Sequence, residues 1–442
     1  MKTKTTIVQL LIIFPFFFLP QFAFSQFSVN GQMLVRTEYR NGYGKLIQDT
    51  LNHSAFVSHR LRLQAGYKIK TLHLYASLQD VRTWGNTSQT KLTDGLTSLH
   101  EGFAEINKDS TWFVKVGRQE LNYDNARFLG NLDWALQGRA HDFMLVKFEH
   151  KQHKLHVGGG YNQNAEALSG NIYTVPNQYK TAQMVWYNFK HNQTEISVLF
   201  WNNGKQAFTT DNSGIVTAHS MRYSQTFGIS ALKHSFWKNN LISGFGYIQT
   251  GKDFTNKKLS AYNVNLQTTQ TITLNKAKSQ NLKLTLGAEL ISGTKNNNAE
   301  EVSHSYTPYY GTNHAHNGYM DYFFVGGRFE NSVGLNDVFL RTRMDLSKKL
   351  FLSANLHHFS ANAGVYSNSS ELSKELGTEL DLAAGWVFME EVSLQSGYSQ
   401  MFATNTLKTM QNINNAANTQ NWAYLMLIVR PKSDKKFIGL LH

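Results

Sequence analysis

The segment GRQELNYDNARFLGNLDWALQGRAHD, starting at Gly117, is the chain's densest collection of groups able to move protons or hold ions. It offers Arg118, Glu120, Asp124, Arg127, Asp133, Arg139, His141 and Asp142. Acids and bases this close are raw material for general acid–base catalysis. Catalysis also needs a nucleophile beside its base, or ligands at metal spacing, and the segment has neither. It reads as a polar network whose charges partly neutralise one another. The chain has 17 histidines and no cysteine, which removes thiol chemistry and thiolate-bound metals. His304, His314 and His316 lie close in sequence and His357-His358 form a pair, but a zinc site needs ligands converging in fixed geometry, which proximity in a loop does not supply. No cofactor or metal is expected.

These groups are carried by segments that alternate. In Phe27–Arg40, Phe27, Val29, Met33, Val35 and Tyr39 fall on one face of an extended strand, opposite Ser28, Asn30, Gln32, Arg36, Glu38 and Arg40, with Leu34 the exception. Ser58–Ile69 repeats this, with Leu61, Leu63 and Tyr67 against Arg60, Arg62 and Lys68, and leads through a tight turn at Lys70-Thr71 into Leu72, Leu74, Ala76 and Leu78. Leu282–Leu290, Val338–Leu346 and Leu376–Trp386 alternate likewise. A sheet with one apolar and one charged face fits a barrel with lipid outside and a watery lumen inside. Arg139, His141 and Lys147 share the polar parity. Arg118 shares parity with Trp112, Val114 and Val116, so it points inward only if Gly117 marks a bulge or the strand has reached the rim.

Short and long connections alternate, as expected of periplasmic turns and external loops. The expected long loops are Asn41–His53, Thr83–Thr97, Asn162–Gln178, Asn203–Thr217, Lys295–Gly318, Ala361–Lys374 and Thr404–Asn421. The fold class expected is all-β: a transmembrane antiparallel barrel of about 16 to 18 strands. The eight tryptophans and twenty tyrosines suit the girdles where lipid meets water, with Trp84 and Trp134 also able to stack on a carbohydrate.

Residues 1–25 read as a cleaved signal peptide, with Lys2 and Lys4 ahead of an apolar run and Ala23-Phe24-Ser25 at its end. Residues 26–442 then form one barrel domain. No later segment has the ~20 consecutive apolar residues of a membrane helix, and a mean hydropathy of -0.38 is what alternating strands average to. The net charge of +13 becomes +13 − 2 = +11 without the two signal lysines. Its cations are spread singly along strands, which argues against nucleic acid and for anionic lipopolysaccharide outside or an anionic solute inside.

Three blocks carry a family resemblance: Gln79-Asp80-Val81-Arg82-Thr83-Trp84-Gly85, Val116-Gly117-Arg118-Gln119-Glu120-Leu121, and Asn131-Leu132-Asp133-Trp134-Ala135-Leu136-Gln137-Gly138-Arg139. With Tyr310-Gly311-Thr312-Asn313-His314 and Gly318-Tyr319-Met320-Asp321-Tyr322, they resemble the alginate-export family of outer-membrane barrels, in versions typical of Bacteroidetes-like bacteria. The resemblance implies an 18-stranded monomeric barrel whose positive pore passes an anionic uronate polymer outward, inserted by the barrel-assembly machinery of a Gram-negative outer membrane.

The functional expectation is a non-enzymatic channel for anionic solutes or a uronate-type polysaccharide. Its expected pore-lining, anion-binding set is Arg36, Arg40, Arg60, Arg62, Arg118, Arg127, Arg139, Lys147, Arg341 and Arg343. The alternatives are a barrel enzyme acting on lipid or polysaccharide, and a non-conducting adhesin or scaffold.

Overall fold

Alternating segments become strands because extended backbone sends successive side chains to opposite faces. The computed structural model describes residues 26–442 apart from 92, 215, 238, 298–299, 326–331, 414, 432, 434 and 441–442; the expected signal peptide lies outside the described residues. Its strands are β1 (Phe27–Asn41), β2 (Ser54–Ile69), β3 (Leu72–Thr83), β4 (Thr97–Asn107), β5 (Trp112–Gln119), β6 (His141–His150), β7 (His153–Tyr161), β8 (Thr181–His191), β9 (Thr194–Thr210), β10 (Val216–Phe236), β11 (Asn240–Lys252), β12 (Lys258–Asn275), β13 (Gln280–Ile291), β14 (Leu335–Ser347), β15 (Leu350–Ser360), β16 (Glu375–Met389), β17 (Val392–Ala403) and β18 (Gln420–Val429). The sheet has nineteen members, one of which is the two-residue Val302–Ser303 lying parallel to β12, which leaves eighteen spanning strands.

Every spanning strand pairs antiparallel with its sequence neighbours, and β1 pairs with β18 from Met33↔Val429 to Asn41↔Asn421. This seam closes the sheet, so no backbone edge faces lipid. The parity read at β1 holds in three dimensions. Phe27, Val29 and Met33 are exposed on the outside, as are Leu61, Leu63, Leu286, Leu290, Val338 and Leu340, whereas Arg36, Glu38, Arg60 and Arg62 are buried on the inside. A closed barrel with an apolar outer wall spans a membrane.

Three local expectations change. Asn203–Thr217 is not a long loop, because β9 and β10 stay paired out to Thr210↔Val216 and only 211–215 connects them. Leu376 leaves the outer face: the register shifts between Phe359 and Ser360 opposite it, and the bulge turns Leu376 into the buried interior. Arg118 stands directly opposite Asp142, on the face of exposed Val116 and Met144, so it points outward and pairs there with Asp142 at 3.1 Å. Gly117 at φ 125 does not re-aim it.

The interior is not an empty tube. Leu34, the exception on the polar face of β1, is fully buried, because the lumen contains a second, apolar core. Phe128, Leu129, Trp134 and Leu136 from the β5–β6 loop meet Tyr306, Tyr310, Tyr319, Met320 and Phe324 from the β13–β14 loop, against inward Trp201, Tyr247 and Trp422.

Candidate solute vestibule and its arginines

Two loops fold into the lumen and join there. Gly130 N–H donates to the Tyr310 carbonyl at 2.8 Å and Thr312 N–H to that of Ala126 at 2.8 Å, which makes a short parallel bridge at Leu129↔Tyr310. Gly130 is required by this approach: a Cβ there would lie 2.3 Å from Thr312 Oγ1 and 2.8 Å from its backbone nitrogen. The β13–β14 loop is anchored to neighbouring wall strands and to the β1–β2 loop. Met320 N–H donates to Glu379 at 2.8 Å, Asn317 donates to Glu289 and Asp337, and Tyr43 bonds Asp321.

Most of the expected cations serve this plug. Arg127 is fully buried, pairs with Glu289 at 2.7 Å and donates to Asn313 and Asn317. Arg60 pairs with Asp133 at 2.7 Å and donates to the Leu136 carbonyl at 3.0 Å. Arg62 holds Gln79 at 2.8 Å and lies 3.7 Å from Glu120. Arg36 pairs with Glu38 at 2.8 Å, donates to the Trp134 carbonyl and lies 4.5 Å over its ring. Lys147 pairs with Glu105 at 2.6 Å and Arg343 with Asp345 at 2.7 Å. Arg341 donates to the His316 carbonyl at 2.9 Å and sits 3.9 Å over Phe339.

Above the plug opens a vestibule of about 1080 Å³. Of the expected set it is lined by Arg36, Arg40 and Arg139, with Arg82, Lys205 and the aromatics Tyr43, Tyr173, Phe254, Tyr309 and Tyr310. Arg82 pairs with Asp80 and, at 3.0 Å, Asp94. Arg40 pairs with Glu38 at 2.8 Å, stacks on Tyr43 at 4.3 Å and keeps its side chain 34% exposed. Arg139 differs in kind. Its Nη1 meets only the carbonyls of Gly130 at 3.3 Å and Gly311 at 3.0 Å, and no carboxylate among the described residues pairs with it. Burial lowers its pKa to about 10, so it stays cationic at neutral pH with its charge unneutralised.

At the plug's base, burial opposes ionisation of Asp133, but Arg60 and Arg430 outweigh it and hold the carboxyl below its ordinary value of 3.8. Arg430 reaches the other oxygen at 2.8 Å. The tail after β18 turns back into the barrel below. Gln395 donates to the Ile438 carbonyl at 2.9 Å and accepts from its N–H at 3.0 Å, Phe437 packs on Phe351, and Gly439 abuts the Trp134 ring.

The histidines do not converge. His314 stacks on Trp134 and bonds Asp321 at 2.8 Å, whereas His304 bonds the Ser260 carbonyl. Among the described residues His100, Glu101 and Glu120 lie within metal-binding distance of one another, but Asn131 and His100 already engage Glu120 and the Arg62 cation stands beside it. Parity could not reveal Tyr173, Tyr309 or Arg430, which lie on the β7–β8 and β13–β14 loops and the tail, whereas Lys205 lies on β9 with the parity of buried Trp201 and Asn203 and was hidden by the expected loop Asn203–Thr217.

No family model matches the chain, and no curated protein does, so the resemblance to alginate exporters finds no support. The chain is similar in fold to solved bacterial channels. Acinetobacter baumannii OccAB4 is 11% identical over 92% of this chain and 98% of that one, with a TM-score of 0.57. Pseudomonas aeruginosa OccK11 (OpdR) is 12% identical over 91% and 95%, with a TM-score of 0.54. Pseudomonas aeruginosa OpdK, crystallised with vanillate, is 11% identical over 91% and 98%, with a TM-score of 0.55. At this identity the likeness is one of fold. Together with the lipid-facing outer wall it defines an outer-membrane barrel of eighteen strands.

Proposed function

We propose that the protein is a channel of the Gram-negative outer membrane that captures small anionic solutes in its outer vestibule. Arg139 carries this reading. It is the expected pore cation that lines the vestibule with no carboxylate partner among the described residues, so a solute carboxylate gains charge-assisted hydrogen bonds there without displacing an existing ion pair. Tyr309 and Tyr310 supply flat walls for an unsaturated or cyclic solute. The vanillate of the OpdK crystal is itself a small aromatic carboxylate, which supports the same solute class here.

The filled lumen favours small solutes over a polymer, because the two loops meet within it. One chain closes its own barrel, so a monomer suffices. Purified protein in planar bilayers should conduct with anion preference, and vanillate should reduce the current by occupying the vestibule. Cation preference in the unaltered protein would overturn the proposal.

A further inference from the structure

The two ends of the barrel differ in charge. The outer loops are balanced: Lys45 is matched by Asp49, Lys91 by Asp94, Lys257 by Asp253 and Lys374 by Glu371. The short turns, which lie at the periplasmic end, are not. The 276–279 turn between β12 and β13 carries Lys276 and Lys278, and the 348–349 turn between β14 and β15 is Lys348-Lys349. Because β13 pairs with β14, these turns are neighbours, with centres two strand spacings apart, ~10 Å. All four lysines are exposed, and none forms an ion pair with a described residue. Asp345, beside this cluster, is held by Arg343 at 2.7 Å on the inner face of β14, so the wall separates its charge from the lysines.

Directly above the turns the outer wall is apolar, with Leu274 50% and Leu352 49% exposed. The next turn along, Glu390-Glu391 between β16 and β17, carries two acids that make no ion pair with these lysines, so four cations on flexible stems, flanked by acids on the β16–β17 side, stand where the lipid-facing wall ends. Lysine at such a boundary reaches to the headgroup layer while its stem lies against hydrocarbon. We infer that the two turns form a headgroup site for an anionic phospholipid of the periplasmic leaflet, with Lys276, Lys278, Lys348 and Lys349 holding phosphate oxygens and the acyl chains lying along Leu274 and Leu352. The site is outside the lumen and independent of any solute in the vestibule. Charge complementarity selects the lipid: each lysine near an anionic membrane surface adds to binding, whereas a zwitterionic headgroup places its own ammonium beside them.

The test uses full-length protein, delipidated in detergent and titrated with phosphatidylglycerol or phosphatidylethanolamine at low salt, with bound lipid counted by native mass spectrometry. Phosphatidylglycerol should bind, and changing all four lysines to Gln should weaken it by about tenfold or more. Changing all four to Arg should preserve it. A control with Lys45, Lys91, Lys257 and Lys374 changed to Gln should bind as the unaltered protein does, and bilayer conductance should be the same in all variants. Equal retention of phosphatidylethanolamine, an equal loss in the outer-loop control, or undiminished binding by the Gln variant would each overturn the inference.

Discussion

The Trp134 indole and the His314 imidazole lie parallel within 3°, with centroids 4.1 Å apart. They belong to different plug loops, so this stack adds a side-chain contact to the backbone bridge at Leu129↔Tyr310. Arg36 lies on Trp134, and Asp321 holds the His314 ring.

Removing the stack should loosen the plug before it harms the barrel. A buried Trp→Ala change costs about 3–5 kcal/mol where the cavity cannot collapse, and strand pairing does not depend on this ring. Trp134→Ala should raise single-channel conductance and add gating events while the folded barrel persists on unheated gels. Trp134→Ala with His314→Ala should cost less than the two separate effects added together, since both remove one contact. A conductance equal to that of the unaltered protein would show that the stack does not restrict the pore.

Arg139 and Arg127 should respond differently to the same neutral substitution. Arg139→Gln removes a charge that no carboxylate among the described residues balances, so anion preference should fall and vanillate block should weaken by about ten- to a hundredfold, as expected for a charged hydrogen bond of about 1.5–3 kcal/mol. Arg127→Gln leaves Glu289 buried and unpaired, a loss of about 3–5 kcal/mol, and should appear as lost yield of folded protein. Selectivity measured on both variants separates the roles.

Acid should unseat the plug. With its folded pKa depressed, Asp133 contributes stability that is fully present above its ordinary value of 3.8 and is lost as pH falls through the lower folded value. Tryptophan fluorescence should be flat from neutral pH to about 4 and change below it. Asp133→Asn should remove that limb while lowering stability at neutral pH, because Arg60 and Arg430 lose their shared partner.

The tail should act as a lower stopper. Gln395 holds Ile438 by both backbone groups, so Gln395→Ala should free the segment and raise conductance, and removal of 435–442 should raise it at least as much. If neither change alters conductance, the tail does not obstruct the path.

Strand number, wall polarity and the tight turn at Lys70-Thr71 were legible because extended backbone has a fixed period and lipid enforces it at every outward position. Leu34 already broke the pattern, and its burial shows why: an apolar residue on a lumen face needs an apolar partner in the lumen. Which loops would supply that partner was not legible, since Arg127–Glu289 and Trp134–His314 join residues far apart in sequence by no local rule. Parity rightly placed Arg60 and Arg62 inside. It could not separate a cation facing solute from one already paired, because Asp133 and Glu120 arrive on a loop. Arg118 was misplaced because Gly117 suggested a bulge, whereas the ladder to Asp142 stays in register.

The double grip on Asp133 has a consequence for biogenesis. Arg60 lies on the second strand and Arg430 just beyond the last, so the two are distant until the first and last strands zip together. One carboxylate then bridges the join from within. The plug thus doubles as a clasp that engages only in a finished cylinder, and a nascent chain released with its seam open lacks half of that clasp.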